Sequence, residues 1–227
     1  MSLLLPPPRA LVFDWDNTLV DSWLCIQKTY NATFRHFGLP DWSMEETKGQ
    51  VAASMRDSFP AMFGDRWPEA REVFSNAFAE IHLDHLAPLP DAAALLEALA
   101  ETDLVLAVVS NKRGHFLRKE AEVLGWTDYF SRLVGAEDAA ADKPDAASVL
   151  LALDGTGVNL GPDVWFIGDS PVDIQCAVNA GCSPVLLRPE PPRPGEFPVA
   201  PPHVLDGCRS LGNLLCELSV PIALKWC

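Results

Sequence analysis

Short, wholly apolar runs alternate with amphipathic segments along the second half of the chain. The apolar runs are residues 104–109, 133–134, 164–167 and 185–187, and segments with helical spacing separate them. Strands that alternate with helices in this way predict right-handed βαβ units and a parallel sheet. Residues 10–13, Ala-Leu-Val-Phe, form a similar run near the start and predict another buried strand. The pattern therefore predicts an α/β fold with a doubly wound parallel sheet.

A helical segment interrupts this pattern after the first strand. Residues 22–88 carry helical periodicities and no convincing strand. One helix is expected over residues 22–37, and Ser43 with Glu46 forms a capping box for the next. A third helix is expected over residues 68–81, where apolar residues recur at helical spacing. This segment predicts a small helical domain inserted into the sheet domain.

The domain prediction assigns residues 1–21 and 89–227 to the α/β core and residues 22–88 to the helical insertion. Within the core, seven prolines between residues 189 and 202 exclude a helix or a central strand and predict a surface loop. Residues 207–218 then predict a last amphipathic helix.

Charge and cysteine content narrow the possible partners and location. The chain has 17 basic and 31 acidic residues, a net charge of −14, which argues against nucleic acid or an anionic membrane as the main partner. No apolar run approaches the roughly 20 residues of a membrane span. The six cysteines form no CxxC pair, so we expect reduced thiols in a cytoplasmic protein. We expect a monomer or a homodimer.

Polar residues follow several of the predicted strands directly. Because parallel strands bring their carboxyl ends to one edge of a sheet, we expect these residues to meet in one crevice. Lys143 belongs to the same set, since it begins the helix between the third and fourth strands. The set consists of Asp14, Asp16, Ser110, Asn111, Lys143, Asp169 and Asp173.

Such a crevice would concentrate three or four carboxylates around one hydroxyl and one ammonium group. This concentration of negative charge is costly unless a cation is present. The available ligand atoms are oxygens, and no imidazole or thiolate lies nearby in sequence. Hard oxygen ligands select Mg²⁺, which commonly shares itself with a substrate phosphate. The implied substrate therefore carries a phosphoryl group.

Four segments resemble, in order and spacing, the four motifs of the haloacid dehalogenase superfamily of phosphatases. They are residues 14–22, 108–112, 142–145 and 168–173. The resemblance extends over nearly the whole chain and implies a Rossmann-like core with a helical cap inserted after the first motif. Within the superfamily the chain looks most like the phosphoglycolate phosphatase branch, so the resemblance implies a small phosphorylated metabolite as substrate.

The resemblance implies distinct roles for the two carboxylates of the first motif. Asp14 would attack phosphorus and form an aspartyl-phosphate, while its other oxygen binds Mg²⁺. Asp16 would protonate the leaving alkoxide and later take a proton from water, with its backbone carbonyl on the metal. This sequence departs from the family at Trp15, where phenylalanine is common, and at Asn17, where glycine is common. Asparagine tolerates unusual backbone angles, so we expect the loop to keep its geometry.

The remaining motifs imply residues that bind the phosphoryl group and the metal. Ser110 would donate a hydrogen bond to a phosphoryl oxygen, and Lys143 would neutralise charge on the nucleophile and the transferring group. Asp169 would be a second carboxylate on Mg²⁺. Asp173 would also serve the metal site, through a metal-bound water or by orienting Lys143.

Substrate-binding candidates complete the predicted site. Asn17 and Asn111 lie in the first and second motifs and are candidates near the phosphoryl group. In the predicted cap, Arg56 is the candidate for a substrate carboxylate, with Lys48 and Arg66 as the other available cations.

Other activities on related scaffolds remain possible at this point. A sugar-phosphate mutase would pass the phosphoryl group to a sugar hydroxyl instead of water, and a phosphatase for a different phosphomonoester would use the same core. A dehalogenase would need neither metal nor general acid, which Asp16 and Asp169 argue against. A phosphorylated signalling receiver lacks a cap and is about half this length. An inactive phosphate-binding module is disfavoured because every expected catalytic group is present.

Overall fold

A parallel sheet of six strands forms the centre of the larger of two units in the computed structural model, which describes residues 5–51 and 54–222. Along the chain, the strands are β1 (Ala10–Phe13), β2 (Val20–Asp21), β3 (Ala87–Pro88), β4 (Val105–Arg113), β5 (Arg132–Ala136), β6 (Val164–Gly168), β7 (Ser183–Leu187) and β8 (His203–Leu205). The large sheet has the order β5-β4-β1-β6-β7-β8, and β2 pairs with β3 separately. All neighbours in the large sheet are parallel, which confirms the predicted α/β fold.

Helices connect the strands of the large sheet and make up the inserted unit. They are α1 (Trp23–His36), α2 (Met44–Gln50), α3 (Met55–Phe63), α4 (Trp67–Ile81), α5 (Ala92–Ala100), α6 (Gly114–Leu124), α7 (Ala147–Leu153), α8 (Pro171–Asn179) and α9 (Cys208–Glu217).

Both faces of the large sheet are buried, and this explains why its strands are apolar throughout. Val12 and Phe166 belong to a core cluster that includes side chains of α7 and α8. Leu11, Phe13 and Ile167, which alternate with them along the strands, are also fully buried. Because successive side chains of a strand point to opposite faces, helices must cover the sheet on both sides.

The second unit is an insertion with its own aromatic core. This unit comprises Asp21–Ala87, between the two segments of the sheet unit. The ring of Tyr30 lies 5.0 Å from that of Phe74 and 5.3 Å from that of Trp42, measured between centroids. Phe34 and Phe59 also contact Tyr30. Burial of this cluster gives the unit an apolar core that the sheet does not supply.

The sequence pattern missed several short elements, among them β2, β3, β8 and α3. Helix α3 contains Pro60, which breaks the local helical signal, while Phe59 and Phe63 hold the helix against other aromatic rings. Strands β3 and β8 have two and three residues and form only because β2 and β7 lie beside them. Helix α7 begins at Ala147, later than the predicted start at Lys143, after a cis peptide bond between Lys143 and Pro144.

Two structural findings concern membrane-spanning helices and the state of the cysteines. Within the described residues, no helix combines the length and apolar character needed to cross a membrane. Cys25, Cys176, Cys182 and Cys208 are free thiols, whereas Cys216 is disulfide-bonded. The expectation that all six cysteines are reduced is therefore wrong at Cys216.

Helix α6 offers a direct test of the packing against the sheet. Leu117 is fully buried and Val123, on the same helix, is 54% exposed. We expect Leu117→Ala to lower the free energy of unfolding by about 2–5 kcal/mol, because it leaves a cavity in the core. Val123→Ala should change it by less than about 0.5 kcal/mol. Urea unfolding of both variants measures the difference, and equal effects would contradict this packing.

Candidate active site

The first predicted pair of carboxylates lies at the carboxyl end of the central strand β1. The backbone N–H of Asp14 donates to the carbonyl of Ile167 at 2.8 Å, so pairing with β6 continues one residue past the strand. The chain then turns at Asn17, whose φ of 63° lies in the left-handed region. Asparagine adopts this region more readily than most residues do. A β-bridge between Asp16 and Val20 closes the turn.

A buried ammonium group joins the first motif to the last. Nζ of Lys143 lies 2.5 Å from Oδ1 of Asp14 and 2.7 Å from Oδ1 of Asp173. The side chains of Lys143 and Asp173 are 2% and 0% exposed. Burial alone lowers the pKa of Lys143, but the two carboxylates outweigh it and raise the pKa above its ordinary value. Lys143 is therefore a fixed positive charge between two acids.

The side chain of Asn111 holds the backbone of Lys143 in place. Its amide nitrogen donates to the carbonyl of Lys143 at 3.2 Å, and its oxygen accepts from the N–H of Lys143 at 3.0 Å. These two hydrogen bonds satisfy both backbone polar groups of Lys143 and fix the backbone from which its ammonium group extends. Asn111, expected to bind substrate, thus directs its side chain to Lys143.

The last motif supplies two carboxylates, one directly after β6 and one in the first turn of α8. Asp173 lies in the first turn of α8, where its Oδ2 accepts from the N–H of Ser170 at 3.0 Å and from its hydroxyl at 2.5 Å. A β-carbon at Gly168 would overlap the side chain of Asp173, so glycine is required there. Asp173 therefore caps its helix and also contacts Lys143. Asp169, directly after β6, is partly exposed.

Three carboxylates are close enough to share a cation. Oxygen atoms of Asp14, Asp169 and Asp173 lie within 4.8 Å of one another. Burial raises the pKa of Asp14 to about 7, with Lys143 opposing this shift and Asp173 and Asp16 adding to it. Burial also raises the pKa of Asp169, and Asp173 and Asp14 add to that shift. One ammonium group leaves this negative charge incompletely balanced, and an oxygen-only site of this kind fits a metal ion.

Asp16 has different surroundings from Asp14, although only one residue separates them. Its Oδ1 lies 2.7 Å from Nζ of Lys112, whose side chain is 6% exposed. The carboxylate of Asp16 is not part of the group that could share a cation. Ser110 lies next to this pair, and its hydroxyl oxygen accepts from the N–H of Lys112 at 3.1 Å. The hydroxyl hydrogen of Ser110 can therefore donate elsewhere.

The predicted cap cations lie in the inserted unit. Arg66 forms two hydrogen bonds with Glu69, at 3.0 and 2.9 Å. Its guanidinium, together with His36, lowers the pKa of Glu69 to about 2. Lys48 lies 5.3 Å from the ring centroid of Trp23. Arg56 is partly buried near the start of α3. Arg66 and Lys48 thus already have partners within their own unit.

Sequence reasoning assigned no role to two charged residues beside Asp16, Lys112 and Glu120. Glu120, on α6, is 1% exposed, and its Oε2 lies 2.5 Å from Nζ of Lys112. The same oxygen accepts from the indole N–H of Trp15 at 2.7 Å. The helix did contain a signal, because Glu120 stands on the apolar stripe with Phe116 and Leu117 at helical spacing. A charged residue on a buried face requires a partner inside the protein.

Comparison with known proteins gives the chain a family. Residues 11–187, which contain every predicted site residue, match the haloacid dehalogenase-like hydrolases. A phosphoglycolate phosphatase of Rhodospirillum rubrum is 30% identical over 220 residues, covering 92% of this chain and 91% of that protein. One from Aquifex aeolicus is 29% identical over 180 residues, covering 78% and 84%. The crystal structure of a HAD-superfamily hydrolase from Ehrlichia chaffeensis superposes with a TM-score of 0.66 at 28% identity, covering 95% of this chain and 100% of that chain.

The buried ammonium group of Lys143 can be tested by stability. Lys143→Met leaves Asp14 and Asp173 buried without their shared cation, so we expect a loss of about 3–5 kcal/mol in the free energy of unfolding. Lys119→Met removes an exposed partner of Glu122 instead and should cost less than about 1 kcal/mol. Denaturant unfolding with a chelator present compares the two variants. Similar losses would show that the buried contact is not needed.

Proposed function

This chain belongs to the haloacid dehalogenase-like hydrolase family, and we propose that it is a Mg²⁺-dependent phosphatase that cleaves a small phosphomonoester through an aspartyl-phosphate. The observation that carries this proposal is the contact of Lys143 with both Asp14 and Asp173, beside Asp169. This arrangement places a buried carboxylate, a fixed cation and further oxygen ligands at one strand end. Related phosphoglycolate phosphatases of similar length support the proposal.

The donor set of the site fits Mg²⁺. We propose that Asp14, Asp169 and Asp173 hold the ion, with Asp173 acting directly or through water, and that the backbone carbonyl of Asp16 contributes as well. When bound, the ion supplies positive charge that stabilises the phosphoryl oxygens. Mg²⁺ suits these oxygen-only ligands, and a bound cation would favour the ionised forms of Asp14 and Asp169, which burial disfavours by raising the pKa of both.

In the first proposed step, a carboxylate oxygen of Asp14 attacks phosphorus and the bond from phosphorus to the ester oxygen breaks. Asp16 gives its proton to that ester oxygen, so the leaving group departs as an alcohol. Lys143 lies against Asp14 and offsets the negative charge of the phosphoryl group. Ser110, Asn17 and the backbone N–H groups after Asp14 would donate to the phosphoryl oxygens.

In the second proposed step, water hydrolyses the aspartyl-phosphate. Asp16, now ionised, takes a proton from the water as its oxygen bonds to phosphorus, and Asp14 is regained as a carboxylate. The products are inorganic phosphate and the free enzyme. Asn111 supports both steps indirectly, because it holds the backbone of Lys143.

We propose that the substrate is a small phosphoglycolate-like ester and that the inserted helical unit acts as a cap that selects it. Arg56 is the proposed partner of the substrate carboxylate. A cytoplasmic location and a monomeric or homodimeric state stay predictions from the sequence.

Replacement of the proposed nucleophile tests the mechanism. The purified protein with Mg²⁺ should release phosphate from p-nitrophenyl phosphate, and a chelator should stop the reaction. Asp14→Asn should lower kcat by about 10⁴-fold or more, because the amide cannot form the acyl-phosphate. Asp128→Asn, at an exposed position of the same unit, is the control. Retained turnover in Asp14→Asn would exclude the aspartyl-phosphate mechanism.

The substrate assignment has its own test. Phosphoglycolate should be a better substrate than ethyl phosphate, which has the same two-carbon chain but no carboxylate. Arg56→Met should raise KM for phosphoglycolate about 10-fold or more, through the loss of a charge-assisted contact, and leave KM for ethyl phosphate nearly unchanged. Phosphate release measured across both esters gives the result. Equal effects on the two esters would remove Arg56 from carboxylate recognition.

A further inference from the structure

A buried series of polar contacts joins Glu120, on helix α6, to Asp16. The indole N–H of Trp15 donates to Oε2 of Glu120 at 2.7 Å. The same oxygen lies 2.5 Å from Nζ of Lys112, which lies 2.7 Å from Oδ1 of Asp16. None of the roles assigned above requires Trp15, Glu120 or Lys112.

Burial makes this arrangement costly unless every charge has a partner. Trp15 is fully buried, Glu120 is 1% exposed and the side chain of Lys112 is 6% exposed. An isolated carboxylate or ammonium in such surroundings would lose several kcal/mol of solvation. Here Lys112 lies between two carboxylates, and Glu120 also accepts the indole N–H. The contacts therefore hold Lys112 at one position, with Trp15 fixing Glu120 from the other side.

The position of Lys112 matters because it sets the position of Asp16. The side chain of Asp16 is 17% exposed and lies just before the turn at Asn17, so its own loop does not fully enclose it. A group that transfers a proton must be held within a few tenths of an ångström of its productive geometry, and a misplacement of about 1 Å can cost roughly 10²-fold in rate.

We propose that Lys112 and Glu120 are positioning residues that hold Asp16 for proton transfer to the leaving group. Lys112 binds Oδ1 of Asp16 and thereby orients the carboxyl group, while Glu120 keeps Lys112 in place. The proton on Asp16 passes to the ester oxygen, which keeps the electron pair of the broken bond to phosphorus. Neither positioning residue gains or loses a proton in this step. The inference rests on the proposed function, since it assigns Asp16 the role of general acid.

The test removes both charges of the buried pair together. Lys112→Met with Glu120→Gln removes both charges of this buried pair, so only Asp16, whose side chain is 17% exposed, loses an ionic partner. The amide oxygen introduced at position 120 can still accept the indole N–H of Trp15. The control carries the same two types of substitution at an exposed ion pair of α6, Lys119→Met with Glu122→Gln. The charged atoms of this pair lie 3.0 Å apart. Thermal unfolding of both double variants confirms that they fold.

The readout is kcat/KM for two esters that differ in their need for an acid. An alkyl phosphate releases a strongly basic alkoxide that must be protonated, whereas p-nitrophenyl phosphate releases a weakly basic phenolate. For the buried double variant, we expect kcat/KM to fall about 10²-fold with the alkyl phosphate and by a much smaller factor with the aryl phosphate. The control should match the wild type with both esters.

Each other outcome opposes the inference. Equal losses with both esters would indicate general damage, and no loss with the alkyl ester would show that Asp16 needs no positioning. A crystal structure of the buried double variant supplies a readout that does not depend on turnover. The Asp16 carboxylate should shift or lose its single orientation, and an unmoved carboxylate would overturn the proposal. If the wild type cleaves neither ester, the proposed function fails, and the position of Asp16 in that crystal structure alone decides the positioning role.

Discussion

A buried ammonium group between two carboxylates is the contact on which the candidate site depends. Nζ of Lys143 lies within hydrogen-bonding distance of Asp14, at the end of β1, and of Asp173, in the first turn of α8. Oxygen atoms of the two buried carboxylates lie within 4.8 Å of each other, so the two groups would repel each other and lose solvation. The shared cation offsets both effects. Local structure serves the same contact, because Asn111 holds the backbone of Lys143 and Ser170 holds the second oxygen of Asp173.

A second ammonium group gives Asp16 separate surroundings. Asp14 contacts Lys143, while Asp16 contacts Lys112, so two acids in one short loop belong to different charge networks. Different surroundings are what allow neighbouring carboxylates to take different chemical roles. The unequal roles proposed for the nucleophile and the general acid therefore have a physical basis in their partners. Glu120 extends the second network into the interior of the core.

The sheet order explains why distant parts of the chain meet here. Strand β1 lies between β4 and β6, with Phe13 in register with Val108 and with Ile167. Asp14 and Asp169 follow β1 and β6 directly, while residues 110–112 form the carboxyl-terminal part of β4, which extends beyond the predicted residue 109. These residues consequently lie side by side at one edge. The sequence pattern was sufficient to predict this convergence, because parallel strands joined by helices place their carboxyl ends together.

The sequence by itself determined the alternation of strands and helices, the polar residues at the strand ends and the inserted helical segment. These features depend on the spacing of apolar residues, which is a local property. Tertiary structure alone decided which lysine each aspartate contacts and that Asn111 contacts the Lys143 backbone. It also formed β3 and β8, which exist only beside their partner strands. Such contacts join residues far apart in sequence and are set by packing and charge pairing, which no local pattern records.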